Sequence, residues 1–370
     1  MINKFISIVL FCFVLLIAGC GKSPENEILI GAILPLTGSG SQDGEYQKNG
    51  IDLAIKEINK NGGINGSPIR IHYEDSHNEA KEGITAMNTM LNRHKIDIVL
   101  STMSGVSAPL SSYVGNKMPV LLFVTVASVP KITLRGDNIY RAFVTSDIES
   151  RIMADFMFDQ GFKKMAVLYV NDDYGVGGKE EFASQFRIKG GEVIFDSAFE
   201  KGSTDHRSLI FKALEGKPDG VFVVGYDKSF ATLIQQLGQL GKGVQIAATS
   251  PLSVPSWRSL AGDAAEGAYL VSSYFKSDPE DLATKAFDQE YKSAYQSPSN
   301  YLAGSAYVSV QLLAAAMRSS GTDREQVQKG LLEIKDHPTI LGKISFQSNR
   351  EASFPVRIAR ITDGKVKPVE

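Results

Sequence analysis

Short apolar runs alternate with amphipathic stretches along most of the chain. A buried strand is predicted over 28–36. A helix follows, with Ile51, Ala54, Ile55 and Ile58 at helical spacing, and Asn61-Gly62-Gly63 ends it as a glycine cap does. In 68–74, Ile69, Ile71 and Tyr73 alternate with Arg70, His72 and Glu74, the period of a strand. A helix over 80–93, a strand over 96–100, a helix over 108–116 and a strand over 120–124 complete a first series. The pattern then restarts, with helices predicted over 150–160, 177–189, 207–214 and 230–240. Strands fall at 164–170, 192–195, 220–224 and 245–248. This order implies an α/β protein with two Rossmann-like lobes, each a parallel sheet flanked by helices. A strand near 269–275, a helix over 302–317 and a hairpin-like end over 356–369 close the chain.

The first twenty residues follow a different pattern. Lys4 precedes a run of about a dozen apolar residues, too short for the roughly 20 needed to span a bilayer and suited to a signal peptide. It ends in Leu16-Ile17-Ala18-Gly19-Cys20, which resembles the bacterial lipobox. That resemblance implies a signal peptide over 1–19, a lipidated Cys20 and a short polar tether over 20–27. The expected location is exported, periplasmic or at the cell surface, held to a membrane by lipid alone.

Composition narrows the chemistry. The only cysteines are Cys12 and Cys20, so a trimmed chain has no thiol, disulfide or cysteine metal site. Net charge is −2, and removing Lys4 moves it to −3. A near-neutral chain of this size argues against nucleic acid and against electrostatic membrane binding. A single core rarely exceeds about 250–300 residues, which also favours two lobes.

No enzyme motif emerges. His72, His77, His94, His206 and His337 match no zinc spacing, and there is no nucleophile elbow or phosphate loop. Gly38, Gly40 and Gly44 follow a strand and open a helix, but their spacing is one residue too long for the dinucleotide fingerprint. They read as a turn; neither a cofactor nor a metal is expected.

The carboxyl ends of the strands are more informative, because ligands of open α/β sheets bind there. After 96–100 come Ser101, Thr102, Met103, Ser104 and Ser107, next to a helix start. Serine hydroxyls beside unpaired helix N–H groups make a carboxylate cradle, although Ser104 or Ser107 also suits plain capping. Thr125-Val126-Ala127-Ser128, 171–175, Gly225-Tyr226-Asp227 and Thr249-Ser250-Pro251 occupy equivalent places. Together they imply a cleft lined from both lobes.

Several of these segments carry a family resemblance. Ile-Asn-Lys-Asn-Gly-Gly-Ile-Asn-Gly over 58–66, Tyr-Glu-Asp over 73–75, Gly-Ala-Ile-Leu-Pro-Leu-Thr-Gly over 31–38, Asn-Asp-Asp-Tyr-Gly over 171–175 and Ala-Ala-Glu-Gly over 264–267 occur in order. They resemble branched-chain amino-acid-binding proteins, bacterial solute-binding proteins of the type I periplasmic class, from about Ile28 to Glu370. The resemblance implies two lobes, 27–146 with 274–350 and 147–273 with 351–370, joined by a hinge with crossings near Ser146, Ser273 and 346–352. It places Ser104 on a ligand carboxylate with Met103 before it, Val126 and Ser128 beside the ligand, and Tyr174 and Tyr226 over it. Ser250 stands where the family's ammonium-accepting glutamate lies, and the aromatic of the first glycine-rich loop is replaced near Asp43. Asp43 or Asp147 is left to accept an ammonium, since a buried charge needs a partner.

The expected function is therefore capture of a small polar ligand, first a branched-chain or related amino acid, by a monomer that hands it to the permease of an ABC transporter. A small carboxylate or amide as ligand, and a signalling receptor domain, are the alternatives.

Overall fold

Residues 27–272, 282–353 and 355–369 are described by a computed structural model. The expected signal peptide, Cys20, most of the tether and the crossing near Ser273 lie outside these residues.

Five strands form the first sheet: β1 (Ile28–Leu34), β2 (Ile69–Asp75), β3 (Ile98–Ser101), β4 (Leu121–Val124) and β5 (Ile139–Arg141). Their order is β2-β1-β3-β4-β5, and every pairing is parallel. Helices α1 (Ser41–Lys60), α2 (Ala80–Thr89) and α3 (Ser104–Val114) make the crossovers. β3 and β4 are buried at every position, as strands covered on both faces must be.

After β5 the chain enters α4 (Ser146–Asp159) and builds a second sheet from β6 (Lys164–Val170), β7 (Glu192–Phe199), β8 (Gly220–Val224), β9 (Gln245–Ala248) and β10 (Tyr269–Ser272). α5 (Asp173–Lys189), α6 (Arg207–Glu215), α7 (Lys228–Leu240) and the short α8 (Pro255–Ala261) connect them. The chain then returns to the first sheet through α9 (Leu282–Tyr295), α10 (Tyr301–Ser320) and α11 (Arg324–Glu333). α10 packs on α1, and Asn300 caps it, its Oδ1 accepting from the N–H groups of Leu302 at 3.0 Å and Ala303 at 3.1 Å.

A small antiparallel sheet, β11 (His337–Thr339), β12 (Gly342–Phe346) and β13 (Ala352–Ser353), was not expected from the sequence. The expected end hairpin is β14 (Arg357–Thr362) and β15 (Lys365–Pro368). It adds antiparallel strands to β10, so the second sheet runs β15-β14-β10-β9-β8-β6-β7. No described helix is long and apolar enough to cross a membrane.

Where the chain passes between the sheets, Arg141 at the end of β5 is fully buried. Its Nε donates to Glu351 Oε2 at 2.7 Å and its other nitrogens to Glu351 Oε1 at 2.6 Å and to the carbonyls of Ala127 at 3.0 Å and Val129 at 2.5 Å. Thr133 also donates to Glu351 Oε1, at 2.8 Å.

Candidate functional site

One cavity of about 290 Å³ lies at the carboxyl ends of both sheets, where the strand-to-helix turns converge. That size fits a small ligand, at the lower edge of ordinary ligand pockets.

The wall from the first sheet is built around Ser104, the first residue of α3. Met103 caps this helix at φ 63 and ψ 130, a conformation costly for a side-chain-bearing residue, and its N–H donates to the Val126 carbonyl at 2.6 Å. Ser104 Oγ accepts from the Ser128 N–H at 3.1 Å, which ties the turns after β3 and β4 together. Ser104 and Gly105, at the N-terminus of α3, both line the cavity, and the Ser104 hydroxyl can still donate, a setting suited to a carboxylate. Behind them, Thr102 donates to the buried Gln47 at 2.5 Å.

Asp43 enters from the first turn of α1. It is 7% exposed, its Oδ1 has no hydrogen-bond partner, and burial pushes its carboxyl up to about 7. Nearby Gly44 is required by packing: a Cβ there would lie 2.0 Å from the Pro35 carbonyl oxygen. The glycine-rich turn thus serves a close crossing of β1 and α1.

The wall from the second sheet carries Tyr174 and Tyr226, ring centroids 5.4 Å apart and edge to face. Tyr226 donates to Asp172 Oδ2 at 2.5 Å, while Asp172 Oδ1 accepts the Gly175 N–H at 3.0 Å and caps α5. Burial and then the Asp172 charge raise the Tyr226 phenol far above its usual range, so it stays protonated. Ser250 begins a single turn after β9 and also lines the cavity.

Eight of the nine sequence-derived candidates, Asp43, Met103, Ser104, Val126, Ser128, Tyr174, Tyr226 and Ser250, thus line one cavity. Asp147 does not. It lines a second groove beside Arg141, Glu351 and Val356. Helix residues turn by about 100° each, so in α4 it is Glu149, two positions on, that faces the Ser250 side. Glu149 is fully buried, neither of its oxygens makes a well-formed hydrogen bond, and burial pushes it up to about 7 against the opposing pull of the Ser250 hydroxyl and amide.

Glu149 was missed by sequence reasoning because an acidic residue in a first helical turn reads as a complement to the helix dipole. Tyr301, Phe143 and Trp257 were missed as well. Tyr301 opens α10 and stacks on Phe143, centroids 6.0 Å apart, and both line the cavity with Trp257. The single tryptophan was the one available signal.

The profile of the periplasmic binding protein family matches residues 27–365. The chain belongs to this family. It is similar to the Leu/Ile/Val-binding protein BraC3 of Rhizobium johnstonii, 29% identical with 90% of this chain and 91% of that one covered. Among solved structures, the branched-chain amino acid transporter substrate binding protein LivJ of Streptococcus pneumoniae, in complex with isoleucine, superposes with a TM-score of 0.86 at 23% identity, over 93% of this chain and 99% of that one. A solute binding protein of an ABC transporter from R. palustris, in complex with benzoate, gives 0.84 at 20% identity, over 93% and 96%. These likenesses establish the fold of a type I periplasmic binding protein, with parallel sheets flanked by helices, and a family of binding proteins.

Proposed function

We propose that this protein is the solute-binding component of an ABC importer and captures a small aliphatic amino acid, first leucine, isoleucine or valine. One observation carries the reading. The same cavity is lined by Ser104 and Ser128 beside the α3 N-terminus, by the buried carboxyl of Asp43, whose Oδ1 has no partner, and by apolar and aromatic residues. An amino-acid zwitterion, with both charges at one carbon and an apolar side chain, complements that set of groups. In this reading Ser104 and Ser128 take the ligand carboxylate, Val126 offers backbone, and Tyr174 and Tyr226 cover the side chain. Asp43 accepts the ammonium, with Glu149 adding negative charge behind Ser250. The names of the relatives point the same way.

The two lobes, one built on each large sheet, close by a hinge around the Arg141–Glu351 pair. Closure excludes water and presents the loaded shape to a permease. Lipid on Cys20 holds the monomer close to that partner, which raises their effective concentration. The protein binds and releases its ligand without chemistry.

A second reading, a carboxylate without an ammonium, is favoured by the uncharged Ser250 and the aromatic lining of Phe143, Tyr174, Tyr226, Trp257 and Tyr301. A thermal-shift screen separates the two. At a hundredfold excess over Kd a bound ligand stabilises by about 2.7 kcal/mol. Leucine, isoleucine or valine should raise the melting temperature, and Asp43→Asn should abolish that shift. A response to benzoate-like acids or amides alone overturns the amino-acid assignment.

A further inference from the structure

His72, Glu74 and His94 belong to no part of the cavity. Among the described residues they are the one group of three histidine, cysteine or acidic side chains whose donor atoms converge, all within 4.8 Å of one another. We propose that they form a binding site for a divalent transition metal, Zn²⁺ being the ion their chemistry suits best.

The fold brings them together in two steps. His72 and Glu74 lie two residues apart on β2, so they project from the same face of the strand. β2 is the edge of the first sheet and pairs only with β1. α2 then runs back along that sheet and ends in a single π-turn, Met90–His94, closed by Lys95 at φ 58 and ψ 36. Such turns are rare and often mark functional positions. This one sets the His94 ring against His72, with centroids 3.9 Å apart.

Two of the three donor separations are close to those of a zinc site, and the third lies within 4.8 Å. Glu74 Oε1 lies 3.0 Å from His72 Nε2 and 3.8 Å from His94 Nε2. Zinc bonds to imidazole and carboxylate of about 2.0–2.2 Å place tetrahedral donors about 3.3 Å apart, so both contacts need only sub-ångström adjustment. Two imidazoles and one carboxylate are a set known to hold zinc with a fourth position for water. All three side chains are 27–32% exposed, which leaves an entry path and room for that water. The neighbouring cation on the same strand face is already engaged, as Arg70 Nε donates to Glu27 at 2.9 Å. A bound ion would clamp the edge strand to the end of α2.

None of these residues touches the cavity, so the proposal stands or falls separately from the ligand assignment. The untagged full chain, purified in detergent, is equilibrated with micromolar Zn²⁺ and its metal content measured. One zinc per chain is expected, with affinity reduced at least about tenfold in Glu74→Gln and in His94→Gln and lost in the His72→Gln/His94→Gln double variant. Co²⁺ bound to the unaltered protein should give the intense visible bands of a tetrahedral site, a reading that needs no variant to fold. Substoichiometric zinc, an octahedral Co²⁺ spectrum, or equal zinc in the folded double variant means adventitious metal only and overturns the site.

Discussion

Arg141 and Glu351 are separated by 210 residues and meet as a two-pronged ion pair, with contacts of 2.7 and 2.6 Å, where the chain passes between the two sheets. The guanidinium has 1% exposure and the carboxylate 18%, so removal of the carboxylate strands a buried charge. Glu351→Ala should cost about 3–5 kcal/mol in urea unfolding. An Arg141→Met/Glu351→Leu pair should cost much less, since neither charge is then left alone. A single-variant loss below about 1 kcal/mol would show that solvent already satisfies the arginine.

Ser104→Ala removes the donor proposed for the ligand carboxylate and the acceptor of the Ser128 N–H. Calorimetric titration with the best amino acid should show binding weaker by roughly 1–3 kcal/mol. Unchanged affinity would sink the cradle assignment.

Asp43 and Glu149 should give the ligand-free protein a distinct pH response. Burial raises both carboxyls, from 3.8 and 4.5 in the unfolded chain to about 7 when folded. The folded state holds these protons more tightly, so their contribution is fully present below about pH 4 and is lost as pH rises through about 7. Melting temperatures recorded across that window should fall less steeply in Asp43→Asn and Glu149→Gln than in the unaltered protein. Parallel curves would mean that neither group is held in the environment described.

Gly175→Ala should damage the wall from the second sheet, because a Cβ there would lie 1.9 Å from the Val170 carbonyl oxygen. The clash pushes on the first turn of α5, which carries Tyr174 and is capped by Asp172. A lower melting temperature together with weaker ligand binding is expected. An alanine variant with the original affinity would show that Tyr174 is positioned independently of this turn.

The sequence was most legible where hydrophobic runs are bounded by polar residues. β6, β8 and β9 fall at the limits read from it, 164–170, 220–224 and 245–248. Some helix starts were read correctly, at 80 and 207, and others late. α3 begins at Ser104 instead of 108, and α4 at Ser146 instead of 150. Their first turns are short on apolar residues and are set by tertiary contacts, such as the Ser128 N–H on Ser104, which propensity does not encode. β7 runs on to Phe199, because its half-buried outer positions hide the alternation. At the cavity, residues at strand ends were legible from topology alone. Glu149 and Tyr301 were not, since each sits at the start of a helix and gains its place only when two distant segments meet. The His72–Glu74–His94 cluster was hidden for the same reason: its histidines have no metal-like spacing, and a π-turn supplies the register.

The Ser128 N–H to Ser104 contact has a kinetic consequence. The two turns brace each other through protein atoms alone, so a ligand landing on that wall orders little that was loose. Related ligands should therefore arrive at similar rates, and their ranking in affinity should be written in how long each one stays.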